Sequence, residues 1–218
     1  MGTAGNRKKR NGGGSLFIIA GFLLLCGAIA LVLYNQWDSD RAGRASQEIL
    51  DQLEDQMSEK MSESAADGSE MTLRLPNFTE KPEQIMPTME IDGYLYIGIL
   101  EIPSINRRLP VMEVWDYDRL KISPCRYSGS YFSNDLVICG HNYERHFSPI
   151  KGLDIGADVY FITADNVVYH YVVSNRQTVE PTSVDEMVNN TDKDWQLSLF
   201  TCNTGGQTRC AVRCQRVD

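Results

Sequence analysis

The sequence lacks the usual signals of a nucleic-acid-binding, zinc-ribbon or thioredoxin-like protein. Of its 21 basic residues, four precede residue 11, and all 29 acidic residues follow Tyr34, so the chain beyond Tyr34 carries a net charge of −12. An acidic body lacks the basic face that phosphate binding requires. No Cys-x-x-Cys pair occurs, which removes the common zinc and redox motifs. We expect no nucleic-acid partner, no metal ligands and no cofactor, with calcium activation left undecided.

Charge is also absent from Ser15 to Tyr34, where the residues are almost all apolar. A helix of this length covers about 30 Å, the thickness of a bilayer core. Basic residues lie only on its N-terminal side, so residues 1–14 are predicted to be a basic cytoplasmic tail and the body extracellular. Cleavage near Ala30 or lipidation at Cys26 is less favoured, because the apolar run continues to Tyr34 and a leucine precedes Cys26. The sequence thus predicts a single-pass anchor over 15–34.

Between the anchor and the main domain, two segments differ in composition. Apolar residues recur every four positions between charged ones in the first segment, at Ala45, Ile49, Leu53, Met57 and Met61. This predicts a helical stalk over 35–63, compatible with a coiled coil or dimer stalk, although the short and narrow stripe favours a spacer helix. Residues 64–92 contain Ser, Glu, Gly and three prolines, which predicts a linker.

Residues 93–218 show many short strand patterns and few helical ones. The predicted strands are Tyr94–Ile102, Leu109–Met112, Leu136–Cys139, Asp158–Ile162, Val167–Val173, Gln196–Cys202 and Arg209–Val217. Short helices are predicted at Asp116–Lys121, around Phe147–Ile150 and at Ser183–Val188. Strands of this length and spacing favour a mostly β fold, a closed or nearly closed barrel.

Five cysteines follow the anchor, an odd number that leaves at least one thiol outside any intramolecular disulfide. Cys210 and Cys214 lie about 13 Å apart on one strand, too far to bridge each other, and we expect both to pack in the core. Whether Cys125 and Cys139 are bridged is left open.

Cys202 ends a predicted strand, and Arg209 begins the next after a Gly-Gly turn. If the two strands pair, a thiol and a guanidinium face each other about 4.8 Å apart, and a nearby cation favours the nucleophilic thiolate. The alternative for Cys202 is a small buried hydrophobe. Arg213 shares the face of Arg209, but Arg209 lies nearer the loop and is preferred.

His141 also follows a strand directly, in the segment Cys139-Gly140-His141-Asn142. A barrel can bring this strand end beside Cys202 and Arg209. Histidine exchanges protons near neutral pH, and arginine can stabilise a developing oxyanion. A Cys-His site on one rim is therefore a hypothesis. We expect His146 to be a surface residue and His170 to lie in mid-strand, so neither is the predicted base.

Several ordered motifs resemble those of the sortases, the transpeptidases of Gram-positive cell surfaces. Segments 97–103 and 109–111 resemble the opening strands of that family, and 137–142 resembles its histidine segment. Residues 156–173 resemble the middle strands. Segment 197–202 is similar to the Thr-Leu-x-Thr-Cys signature, with Ser198 in place of the first threonine.

The resemblance implies a closed eight-stranded β-barrel with Cys202 as nucleophile, His141 as acid and base, and Arg209 as oxyanion or substrate stabiliser. It implies cleavage of a Leu-Pro-x-Thr-Gly-like sorting signal and transfer to an amine of a cell-wall precursor or a pilin lysine. Thr201, Asn203 and Asn142, which flank these residues, are the predicted substrate-binding positions.

The subclass expected from the resemblance is A or D rather than B. No room exists between Val173 and Gln196 for the long class B insertion, and neither an Asp-Pro-aromatic lid nor a second hydrophobic segment after Val217 is found. Two other functions are compatible with the residues: an extracellular cysteine peptidase, and a membrane-tethered binding domain with an inert thiol. An L,D-transpeptidase is disfavoured because Cys202 lacks a Ser-His-Gly-Cys context.

Overall fold

The computed structural model describes residues 13–66, 85–190, 194–203 and 205–217, and the chain divides into two units, residues 1–38 and 39–218. Most of the predicted basic tail and of the predicted linker lies outside the described residues. A long helix, α1, runs over Gly13–Ala66. Among the described residues, it is the one helix long and apolar enough to cross a membrane, judged by length and composition.

In the described part of the second unit, one sheet of nine strands dominates, with one further short helix, α2, at Val184–Val188. The strands are β1 (Met89–Ile91), β2 (Tyr94–Ile102), β3 (Arg107–Met112), β4 (Cys125–Ser128), β5 (Leu136–Cys139), β6 (Asp158–Thr163), β7 (Val168–Val179), β8 (Leu197–Cys202) and β9 (Arg209–Arg216). Three short 3-10 helices lie at Pro103–Ile105, Arg119–Lys121 and Ser148–Gly152.

The sheet closes on itself, which confirms the predicted eight-stranded barrel. Its strand order is β1-β2-β3-β4-β5-β8-β9-β7-β6, and β6 also pairs with β2, so that β2 to β9 form a closed ring with β1 attached to β2. At Gly98, where the β2–β3 register shifts, an added Cβ would lie 2.1 Å from the Ile162 carbonyl oxygen. A glycine there lets β2 approach β6 closely enough to complete the ring.

Two apolar clusters lie on opposite faces of the barrel strands. On β9, for example, Cys210, Val212 and Cys214 belong to the interior cluster, whereas Ala211 belongs to the outer one. The expectation that Cys210 and Cys214 pack in the core is confirmed. All four residues of β5 are buried, because the outer face of that strand is covered as well as the inner one.

The outer cluster includes one stripe of α1. Ile49, Leu50, Leu53 and Met57 are buried there with residues of β1, β2 and β3. The expectation of a spacer helix is therefore wrong, and so is the alternative of a stripe kept for a coiled coil: this section of α1 packs on the barrel of its own chain. A narrow stripe suffices because the helix has to cover only one side of the sheet.

The folded unit also begins earlier in sequence than Gly93. Met86 is buried in the interior cluster, and β1 pairs with the start of β2. The prolines of this segment indicated a linker, but alternate residues of β1, Met89 and Ile91, are buried in the outer cluster, so residues 85–92 belong to the domain. Other predicted strands agree to within a few residues, except that β7 extends to Val179 and that β4 was not predicted.

Candidate active site

Cys202 and Arg209 lie opposite each other at one end of the barrel. β8 and β9 pair antiparallel with Cys202 in register with Arg209, and Thr201 with Cys210. Adjacent strands are about 4.8 Å apart, so the thiol and the arginine project from neighbouring positions. The expected pairing is thereby confirmed at the level of the backbone.

His141 lies at the same end, on the other side of Cys202. β5 and β8 run parallel with Cys139 in register with Phe200, and His141 and Cys202 each follow two residues later. The pairing continues past the end of β5, since the Gly140 amide donates to the Phe200 carbonyl at 3.1 Å. The hydroxyl of Thr201 donates to the Gly140 carbonyl at 2.8 Å. The three side chains thus come from three adjacent strand ends, in the order His141, Cys202, Arg209.

The segment after His141 folds back onto the barrel. Phe147 is fully buried, and its amide donates to the His141 carbonyl at 3.3 Å. A Cβ on Gly140 would lie 2.6 Å from the Phe147 ring, so the absence of a side chain at this position lets the loop close. The glycine beside the histidine therefore shapes the loop that carries it.

Cys202 differs from the other thiols of the second unit. Cys125, Cys139, Cys210 and Cys214 are buried, and burial raises the pKa of each thiol, for Cys125 to about 12. Such thiols stay protonated and inert near neutral pH. Cys125 and Cys139 face each other in register as free thiols. Of the five cysteines in the second unit, Cys202 is the one that is partly exposed and therefore accessible.

Arg209 forms hydrogen bonds with the loop between β8 and β9. Its Nη1 donates to the carbonyls of Gly206 at 2.9 Å and Thr208 at 3.3 Å. A second hydrogen bond closes the loop. The backbone amide of Asn203 donates to the Thr208 carbonyl at 2.9 Å. The guanidinium is therefore held at the rim of the barrel beside the Cys202 position.

Arg213 has a different environment, four residues further along β9. It is 4% exposed, and its Nη1 donates to the Ser198 hydroxyl at 2.5 Å and to the Met187 carbonyl at 2.9 Å. Its guanidinium also stacks on the Trp195 ring at 4.7 Å. These contacts attach α2 to the barrel and favour Arg209 over Arg213 for chemistry. The hydroxyl of Ser198, at the position where the signature has its first threonine, is a structural acceptor.

The three predicted substrate-binding residues differ in accessibility. Thr201 is 1% exposed and bonded to Gly140, so its side chain offers no surface to a ligand. Asn142 and Asn203 are partly exposed at the rim. Asn142 accepts a hydrogen bond from Lys151 at 2.5 Å, and Asn203 donates to the Thr208 hydroxyl at 2.8 Å.

The expectation that His146 is a surface residue is wrong. Its side chain is fully buried, and neither ring nitrogen has a hydrogen bond of ordinary geometry. Burial lowers the pKa of this imidazole to about 4, against an opposing effect of the Ala42 carbonyl on α1, and the nearby His141, Arg107 and Arg41 lower it further. Sequence reasoning missed this residue because no local pattern signals that α1 covers it. His170 pairs with Asp158 at 2.8 Å in mid-strand, away from the rim.

No group of three or more His, Cys, Asp or Glu residues is arranged to hold a metal ion within the part of the chain that the structure describes. The strand register brings a thiol, an imidazole and a guanidinium to the rim. Together they can form an acyl-thioester and exchange one proton with the groups that leave and attack.

Comparison with known proteins shows which family the chain matches. A family profile for the sortase domain matches residues 100–217, more than half of the chain. The chain is 26% identical over 131 residues to sortase A of Staphylococcus aureus (strain NCTC 8325 / PS 47). That match covers 57% of this chain and 63% of the Staphylococcus protein.

Solved structures of other sortases share the fold over a larger part of this chain than the sequence match covers. A Clostridium perfringens sortase D5 transpeptidase aligns with a TM-score of 0.56 at 16% identity, covering 80% of this chain and 99% of the other. Sortase C of Streptococcus pneumoniae aligns with a TM-score of 0.54 at 21% identity, covering 78% and 97%. At these identities the alignments establish the shared fold.

Proposed function

Because the chain belongs to the sortase family of cysteine transpeptidases, we propose that it cleaves a C-terminal sorting signal at Cys202 and transfers the protein to an amine. The signal we expect is Leu-Pro-x-Thr-Gly-like, and the acceptor is the amine of a cell-wall precursor or of a pilin lysine. One observation carries the proposal: the strand register that brings His141, Cys202 and Arg209 to three adjacent strand ends.

In the first half-reaction, His141 accepts the proton of the Cys202 thiol, and the thiolate sulfur attacks the carbonyl carbon of the Thr–Gly bond. Negative charge develops on the carbonyl oxygen, and Arg209 donates hydrogen bonds to it. His141 then protonates the departing glycine amine as the C–N bond breaks. A thioester between Cys202 and the threonine carbonyl remains.

The second half-reaction reverses these roles. The acceptor amine attacks the thioester carbon, His141 removes a proton from the attacking nitrogen, and the sulfur leaves as thiolate when the new amide forms. Transfer prevails over hydrolysis only where water is kept from the thioester. We assign Asn142 and Asn203 to the substrate groove because they are partly exposed at the rim. To buried Thr201 we assign a positioning role.

We further propose that residues 15–34 anchor the enzyme in the cell membrane. The apolar section of α1 has the length for one crossing, and the bases at 7–10 favour a cytoplasmic N-terminus with the barrel outside. An extracellular position would give the barrel access to surface-protein substrates and cell-wall amines. Class A or D remains our expectation for the subclass.

The test is transfer by the full chain in detergent micelles, with a sorting-signal peptide library and candidate amines, read by mass. The expected product joins the signal up to threonine to the amine, with a thioester on Cys202 trapped when amine is omitted. A Cys202→Ala variant is expected to yield neither. Hydrolysed peptide with and without amine would support the rival peptidase function, and no Cys202-dependent product at all would support a binding domain.

A further inference from the structure

The loop that follows His141 is held from outside the barrel by the section of α1 at Ser39–Gly43. The backbone amide of Glu144 donates to the Ser39 hydroxyl at 3.1 Å. At the next residue of the loop, Arg145 Nε donates to the Asp40 carboxylate at 2.7 Å. Two consecutive loop residues are thus tied to two consecutive helix residues, one by its main chain and one by its side chain.

Packing supports these polar links. Ala42 is fully buried, as is His146. A Cβ on Gly43 would lie 2.2 Å from Cδ of Arg145, so no other residue fits there unless Arg145 moves. Glycine lowers helix stability by about 1 kcal/mol relative to alanine in a helix interior, and here its lack of a side chain permits close approach to the loop.

The packed rings form a continuous path to the reacting histidine. The His146 ring contacts Tyr143 edge-on at 5.6 Å between centroids, and the Tyr143 ring contacts His141 at 4.9 Å. From the barrel side, Arg107 Nη2 donates to the Glu144 carbonyl at 2.9 Å. The loop is therefore held between β3 and α1, and its position determines where the His141 ring rests.

We propose that Ser39–Gly43 of α1 form a positioning element for His141, acting through the loop at 143–147. This inference rests on the proposed function, in which His141 exchanges protons with Cys202. The helix residues act through the loop, so their role is positional. A displacement of about 1 Å in a reacting group can lower a rate roughly a hundredfold, so small movements of this loop are expected to matter.

Positioning can be separated from the general stability that α1 provides. The apolar contacts of α1 with the outer cluster begin at Ile49 and extend to Met57, beyond the section that touches the loop. Changes at Ser39 and Asp40 therefore leave the apolar attachment intact. The ion pair of Asp40 with Arg145 is largely solvent-exposed, and such a pair contributes little to stability.

The experiment uses the full chain in detergent micelles and the double variant Ser39→Ala/Asp40→Asn. The matched control is Asp55→Asn, the same chemical change at an exposed position of α1. Transfer kinetics, the pH dependence of kcat/KM, the rate of Cys202 alkylation by iodoacetamide against pH, and the urea midpoint are measured. We expect the double variant to lose roughly tenfold in kcat with KM within about twofold, and to shift both pH profiles. We expect the control to match the wild type.

A second variant, Gly43→Ala, keeps the Ser39 hydroxyl and the Asp40 carboxylate but displaces Arg145, and we expect the same direction of change. Unchanged kcat and unchanged alkylation profiles in both variants would overturn the proposal. So would losses that only follow the fraction of unfolded protein. If the wild type forms no transfer product, the proposed function fails. The alkylation profiles then still decide the positioning proposal, since they measure the pairing of thiol and imidazole without any substrate.

Discussion

The hydroxyl of Thr201 donates to the carbonyl of Gly140 at 2.8 Å, joining the residue before Cys202 to the residue before His141. This bond extends the β5–β8 pairing beyond the last regular position of β5. It ties the two strand ends together at the point where their side chains have to meet.

Replacing Thr201 by valine keeps the volume of the side chain and removes this donor. We expect a loss of about 1 kcal/mol in the free energy of unfolding and roughly a tenfold loss in kcat/KM, because a buried carbonyl loses its partner and the strand ends separate. Urea denaturation and transfer kinetics measure the two effects. Thr178→Val, at an exposed position of β7, serves as the control. Wild-type kinetics in Thr201→Val would count against this role.

Replacing Arg209 and replacing Arg213 are expected to have different effects. Arg209→Ala should lower kcat by about a hundred- to a thousandfold with little change in unfolding, as expected for loss of an oxyanion donor at a partly exposed site. Arg213→Ala should instead lower the free energy of unfolding by about 1–3 kcal/mol, because it leaves the Ser198 hydroxyl and the Met187 carbonyl with a lost donor. Unfolding curves and kcat of both variants test this. Reversed behaviour would show that Arg213 is the reacting arginine.

Thiol reactivity is expected to be confined to one position of the barrel. In a Cys26→Ala background, iodoacetamide at neutral pH should modify Cys202 alone, because burial raises the pKa of the other four thiols and shields them. Peptide mass mapping of the native chain gives the sites. Adding Cys202→Ala should abolish labelling until the protein is unfolded. Labelling of Cys139 in the native chain would contradict the burial of β5.

Acid is expected to destabilise the fold through His146. Its pKa is about 4 when folded, against an ordinary value of 6.5, so the unfolded state takes up the proton first. The stabilisation is therefore fully present above pH 6.5, falls as the pH drops toward 4, and amounts to about 3 kcal/mol in total. The groups around the ring, Arg41 and Arg107 as well as His141, oppose its protonation.

The measurement is the free energy of unfolding in urea between pH 7 and pH 4, for the wild type and for His146→Phe. The phenylalanine keeps a ring in the buried space and removes the titration. We expect a flatter pH dependence in the variant over this window. Parallel curves for the two proteins would contradict the assignment.

The attachment of α1 to the barrel is expected to contribute substantially to stability. Leu53 is fully buried in the outer cluster, so Leu53→Ala should lower the free energy of unfolding by about 2–4 kcal/mol. Met61→Ala, two turns further along and partly exposed, should have a smaller effect. Denaturant unfolding of the full chain gives both values. Equal, small effects would mean that the helix detaches in solution.

Much of the fold could be predicted from local patterns in the sequence. Short apolar runs marked β2 and β5 to the residue, and the ordered motifs indicated the sortase barrel with Cys202, His141 and Arg209 at strand ends. β4 was not predicted, because its four residues have no clear alternation and pair through a single parallel contact and an irregular antiparallel one.

The sequence by itself determined most of the strand pattern and the apolar helix, and it supplied the candidate site residues, because each of these is encoded by neighbouring positions in the chain. Only the tertiary structure decided the partner of the α1 stripe, the burial of His146 and the different environments of Arg209 and Arg213. These depend on contacts between residues distant in the chain, such as Ser39 with Glu144. Such pairings form when the barrel closes and exposes one outer face to the helix, and no periodicity within either segment encodes them.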